Sequence, residues 1–292
     1  SPTGTGLTSG QSATVTENDS AGQLMTLATS GTFSVLLDSS SPAYTITSGG
    51  RTAIPVSVLR FTGTNEAVRI TDVGLVLTGN VASSSPADVT KVTLWDGASK
   101  VGETVFVGTN YYATSTLSTC TGCVDFVIPK NDSKLMTIKV DLGMQGTSQP
   151  GIPGALVAVD WYGATNSKGV GVSSGATITR DSGSNTASAG VRVYKSYPTL
   201  ALVDLPTTKL VSGRVPIFRF KITAAPEGDV GIAKFTFRIA TSSATAQLDM
   251  IKNENIYVFT DSGYSTVATG VQTDGAISST NLGANLWSAA ST

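Results

Sequence analysis

The chain has 292 residues, a net charge of −1, no histidine, and a charged share of 13%, which is about half that of an ordinary globular protein. The missing histidine excludes Ser-His-Asp and Cys-His catalysis and every histidine-ligated metal site. The scattered Lys and Arg give no basic stripe for nucleic acid, and no apolar run approaches the ~18 residues of a membrane helix.

The length gives about two domains, and 40% hydrophobic residues are enough to fill their cores. Ser and Thr supply 77 residues and Gly another 31. A surface of hydroxyls in place of charges points to an extracellular protein. The opening Ser1-Pro2-Thr3-Gly4 carries neither the basic nor the apolar region of a signal peptide. The numbering is therefore expected to start after processing or inside a longer precursor.

Along the chain, apolar and polar residues alternate at the period of half-buried strands. Asn18-Asp19-Ser20 fits the glycan-acceptor pattern, as does Asn131-Asp132-Ser133, and both read more simply as turns. Leu59-Arg60-Phe61 places Arg60 outward between two inward residues, and Phe218-Arg219-Phe220 repeats the arrangement. Asp96-Gly97, Ser212-Gly213 and Asp261-Ser262-Gly263 are turn signals between runs. Leu135–Val140 and Ala155–Val159 are strand-like runs bounded by Gly, Pro or Asn. Few segments longer than ten residues have a helical period, so the expected fold is all-β, of the Ig-like or Greek-key sandwich type.

Self-similarity organises these runs. Val68-x-Ile70-x-x-Val73-x-Leu75-x-Leu77 is matched by Val230-x-Ile232-x-x-Phe235-x-Phe237-x-Ile239. Both slip phase by one residue after the second apolar position, which predicts a β-bulge or a bend there. Val92-x-Leu94-Trp95 corresponds to Ile256-x-Val258-Phe259, Leu37-Asp38 to Val203-Asp204, and Ala13–Thr16 to Ala176–Thr179. The internal repeat is about 163 residues long. It divides the chain into 1–31, the tail of a preceding unit or a donor-like segment; 32–195, a full sandwich unit; and 196–292, a second unit lacking the counterpart of residues 130–163. Either the chain is a segment of a longer tandem array, or a strand from a neighbouring molecule completes the last unit.

Few residues suggest a site. Cys120-Thr121-Gly122-Cys123 lies in a Ser/Thr-rich loop with no βαβ pattern and no further Cys or His for a metal. It reads as a local disulfide rather than a redox motif. Asp38 and Asp204 hold equivalent positions near a domain junction and are the calcium candidates, with Asp88/Asp249 and Asp96/Asp261 as further matched pairs. Turn-forming or capping Asp is the simpler reading of each, because no D-x-D-x-D-G loop occurs. Trp95, Trp161 and Trp287 with Tyr111 and Tyr112 form a candidate sugar-stacking set. Trp95 is expected to pack on its sheet, whereas Tyr111 and Tyr112 lie in a loop and are the better candidates for contact with a partner.

The run from Leu59-Arg60-Phe61-Thr62 through Val68–Val73 and Val92–Gly97 to Ile128-Pro129-Lys130-Asn131-Asp132-Ser133-Lys134 resembles the repeated β-sandwich modules of bacterial surface-layer-like and cell-wall-associated proteins. The resemblance covers most of the chain and implies a structural role at the cell envelope, with calcium as a companion and no catalytic residue transferred. Three readings follow. The first is a self-assembling surface protein whose partners are other copies of itself. The second is an adhesin or carbohydrate-binding array that contacts cell-wall or surface glycans. The third, an enzyme with two converging carboxylates, finds no support in the pattern.

Overall fold

The computed structural model describes residues 3–5, 7–14, 30–77, 84–163, 167–180, 183–209, 211–233, 235–237 and 255–277. Among them there are eighteen strands, one 3-10 turn at Pro86–Asp88 and no α-helix. In chain order the strands are β1 (Thr3–Thr5), β2 (Ser12–Thr14), β3 (Thr32–Leu37), β4 (Thr45–Ser48), β5 (Ile54–Thr64), β6 (Val68–Leu77), β7 (Val89–Asp96), β8 (Ser99–Thr104) and β9 (Tyr112–Thr116). They continue with β10 (Phe126–Ile128), β11 (Ser133–Leu142), β12 (Ala155–Val157), β13 (Val159–Trp161), β14 (Ser167–Gly171), β15 (Thr177–Arg180), β16 (Val191–Tyr194), β17 (Pro198–Leu202) and β18 (Phe220–Ala224). The chain is all-β.

Two sheets share one core. The first has the order β3-β5-β11-β7-β8, antiparallel throughout. The second is organised on β6, whose edges are each covered by two short strands: β10 and β9 on one, β14 and β13 on the other. A small third sheet, β12-β16-β4, contains the parallel pair β16–β4. Alternation sends Phe33, Val35, Phe61, Leu94, Met136 and Ile138 inward from the first sheet. They meet Ile70, Val73, Leu75, Phe126, Val159 and Trp161 from the second. Each such side chain stabilises by about 1.5–3 kcal/mol when fully buried. Arg60 is exposed between buried Leu59 and Phe61, as alternation requires.

The phase slip in Val68–Leu77 is a β-bulge. Asp72 pairs with Lys168 and Ile70 with Gly169, so Thr71 is the extra residue. Burial changes phase at the same place: Val68 and Ile70 are buried, then Val73 to Leu77.

The chain parts into two compact units, Ser1–Gly231 and Ile232–Thr292. Within the first, β1–β2 and β17–β18 form separate two-stranded hairpins. In the second, the described residues form isolated bridges, Tyr257 with Ala276 and Phe259 with Val267. The fold does not confirm the 163-residue repeat as a second sandwich. Residues 230–233 and 235–237, the expected counterpart of β6, contain no strand, and Ile239 lies outside the described residues. Phe218 is exposed, unlike Leu59.

Candidate functional site

The charged side chains that fold into the protein are held by the protein itself. Asp38 follows β3 and is buried, and its carboxylate accepts hydrogen bonds from the Ser40 amide (2.9 Å), the Ser40 hydroxyl (2.6 Å) and Arg60 Nε (2.7 Å), with Arg60 Nη2 against the same oxygen. The Ser40 bonds are the main reason its carboxyl sits at about 2, below the ordinary value, and the Arg60 charge adds to them. The guanidinium thus stands where a cation would sit. Asp204, its expected counterpart, is exposed after β17.

The other acidic residues serve as local ties. Asp88 is buried at the 3-10 turn and accepts from the Ser85 amide (2.7 Å) and the Ile152 amide (2.6 Å). Asp96 pairs with Lys134 at 2.6 Å. Asp261 closes the 261–266 turn by accepting from the amides of Gly263, Ser265 and Thr266, which hold its carboxyl at about 2. Asp249 lies outside the described residues. Among the described residues no three acidic or cysteine side chains converge as a metal cage would require.

One carboxylate was not visible to the sequence reading. Glu66, in the β5–β6 turn, is 8% exposed. Its oxygens accept from the Gly31 amide (2.7 Å), the Ser173 amide (2.9 Å), the Ser174 amide (2.9 Å) and the Ser174 hydroxyl (2.7 Å). Those bonds, led by the Ser174 hydroxyl, bring its carboxyl down to about 2. Glu66 thereby latches the β14–β15 turn and the start of β3 onto the β5–β6 turn. A lone Glu between two strand-like runs gives no signal of this. The signal lay in its partner, the Ser/Gly-rich turn 171–175.

The aromatic residues divide. Trp161 is buried and its indole N–H donates to Ser167 Oγ at 2.9 Å. Trp95 lies on the first sheet, donates to Thr93 Oγ1 and carries Lys139 Nζ 4.4 Å above its ring, as sheet-face packing predicts. Trp287 lies outside the described residues. Tyr111 packs against the core, while Tyr112 on β9 is 48% exposed and meets Tyr162 at a 43° tilt with ring centroids 4.6 Å apart. Exposed Val105 and Val107 lie in the loop leading to this pair. The two tyrosines predicted together thus part: Tyr112 is exposed beside half-buried Tyr162, and Tyr111 is half-buried against the core.

Cys120 and Cys123 form a disulfide, closing a turn in which the Cys123 amide donates to the Cys120 carbonyl at 3.0 Å. Asn131 is a turn residue with positive φ, and its Oδ1 accepts from the Asn65 amide. Asn18 lies outside the described residues. No protein-family model matches the chain, and no curated protein matches it.

Two of the exposed surfaces lie on the flanking hairpins. On β17–β18, Leu200 pairs with Ile222 and Leu202 with Phe220, so the four lie on one face. Leu200 is 62% and Leu202 79% exposed. On β1–β2, Gly4, Thr5 and residues 7–12 are all exposed, with the Leu7 side chain wholly in solvent.

Proposed function

We propose that this chain is a non-catalytic structural protein of the cell exterior that joins other copies of itself into a layer or filament. The observation that carries the reading is the β17–β18 hairpin. A two-stranded sheet with one apolar face is at best marginal alone in water, and Leu200 and Leu202 stand exposed on that face, as residues of an interaction surface do. Three further features support it. The missing histidine removes the commonest catalytic chemistries. Asp38, Glu66 and Asp88 are engaged by protein donors. A disulfide suits an oxidising, extracellular setting. The envelope role implied by the resemblance to surface-layer-like modules agrees with these.

A second reading, an adhesin that binds a surface glycan, is favoured by one observation, the Tyr112–Tyr162 pair on the outside of the second sheet. Sugar rings stack on such aromatic faces, but a single pair offers little area.

Electron microscopy and sedimentation of the purified chain test the proposal together. Ordered lattices or filaments growing with concentration are expected. A 29.8 kDa monomer at every concentration would overturn it, and glycan binding by that monomer, lost in Tyr112→Ala, would favour the adhesin.

A further inference from the structure

We infer that Tyr112 and Tyr162 are the site of a dityrosine cross-link within the chain, formed with hydrogen peroxide by an enzyme of the haem peroxidase class. The inference goes beyond the proposed self-assembly, because it concerns a covalent bond inside one molecule and stands or falls without it.

The two tyrosines come from opposite edges of β6. Tyr112 lies on β9 and is opposite Val76. Tyr162 directly follows β13, where Trp161 is opposite Leu75, and the Tyr162 amide donates to the Gly74 carbonyl at 2.9 Å. Val73, Leu75 and Leu77 face the core. Alternation therefore turns Gly74 and Val76 to the outer face of the sheet, and with them the tyrosines that lie opposite. Strands on either side of a third are about 9.5 Å apart, yet the two ring centroids are 4.6 Å apart at a 43° tilt. The rings thus lean toward one another over β6. Glycine at position 74 puts no side chain on that face beside Tyr162. The spacing is at the lower end of the range of about 4.5–7 Å for aromatic contact, so ring carbons of the two phenols touch.

That contact suits radical coupling. Each phenol gives one electron and its hydroxyl proton to the oxidant, which leaves two phenoxyl radicals. The radicals join through a carbon ortho to each oxygen, and the hydrogen on each of those carbons then moves to the oxygen, restoring both phenols. One hydrogen peroxide takes up the two electrons and two protons and leaves as two waters. Tyr112 is 48% exposed and Tyr162 half-buried, so an oxidant in solution reaches the pair. A partner already in contact replaces a search through solution, which is the advantage of any reaction between groups held together.

The bond has a structural use. β9 has five residues and β13 three, so each holds to β6 through a short ladder. Residues 112 and 162 are fifty positions apart in sequence, and joining them closes a long loop and removes chain entropy from the unfolded state. The cross-link staples both edges of the second sheet, whereas the Cys120–Cys123 bond closes a single turn.

The test treats the dilute full chain with a haem peroxidase and limiting hydrogen peroxide, then reads dityrosine fluorescence, intact mass and cross-linked peptides. A monomer lighter by two hydrogens, with residues 112 and 162 joined and a higher melting temperature, is expected. Tyr112→Phe and Tyr162→Phe keep the ring but lose the hydroxyl hydrogen, and each should abolish that product. Tyr111→Phe, altered in the tyrosine that packs against the core, should still form it. Coupling only between chains, or oxidation of the folded chain that leaves residues 112 and 162 unjoined, would overturn the inference. So would a product that persists in Tyr112→Phe. If a Phe variant fails to fold, the peptide map of the parent decides: a 112–162 link supports the inference and any other pairing overturns it. A joined chain that melts no higher than the parent would overturn the role as a staple.

Discussion

The sandwich of β3 to β16 and the hairpins on either side of it are made from the same kinds of residue, yet they keep their apolar groups in opposite places. In the sandwich, Leu59, Phe61, Leu75 and Trp161 are buried under a second sheet. In β17–β18, an equally regular alternation leaves Leu200 and Leu202 in solvent. Local pattern makes a strand amphipathic; only a second layer makes it stable. β17–β18 has the first property and leaves Leu200 and Leu202 in solvent, and that difference underlies the proposed role in assembly.

Substitutions should separate the two regions. Phe61→Ala, at the centre of the core between Phe33 and Phe126, should lower stability to denaturant by ~3–5 kcal/mol. Leu202→Ser should change it by no more than about 0.5 kcal/mol while weakening self-association in sedimentation. Equal effects on stability would erase the comparison.

Glycine gives the next largest contrast. Gly169→Ala forces a Cβ onto Val68 and should cost ~1–3 kcal/mol by urea melting. Gly231→Ala, where a Cβ would meet open space, should leave the melt unchanged.

The latch at Glu66 sharpens the account through pH. Its carboxyl is depressed in the folded protein, from 4.5 to about 2, so its contribution is fully present above the unfolded value. That contribution is lost as pH falls through the range from about 4.5 to about 2. Asp38 and Asp261 act with the same sign, over a window from 3.8 to about 2. The melting temperature should therefore hold from pH 7 to about 5 and then fall. In Glu66→Gln it should start lower at pH 7 and fall less steeply in acid. An unchanged acid slope in that variant would remove Glu66 from the account.

The smallest effect belongs to the disulfide. A loop of this length removes at most ~2 kcal/mol of unfolded-state entropy, so a C120S/C123S double variant should melt close to the parent. Faster proteolysis between residues 118 and 124 is the expected cost.

Alternation and turn chemistry made the strands of the first unit legible, including the bulge. Ile70-x-x-Val73 betrays Thr71 as an extra residue because burial must recover its phase. The same logic misled at Phe218-Arg219-Phe220, where Phe218 is exposed because alternation reports a face and not what covers it. Tyr111 and Tyr112 illustrate the limit differently. Tyr111 is half-buried against the core and only Tyr112 stands well exposed, a difference set by packing that adjacent positions in sequence do not reveal. Asp38 looked like a cation ligand in one dimension and proved to be paired with Arg60, brought next to it by the β3–β5 ladder. Glu66 was hidden because its partners at Ser173 and Ser174 are more than 100 residues away in sequence.

Residue-resolved hydrogen exchange, compared between dilute and assembled protein, tests the central claim most directly. The account predicts new protection confined to the β17–β18 hairpin, with the sandwich strands already protected and unchanged. Protection that rises across β5, β6 and β11, or nowhere at all, would contradict it.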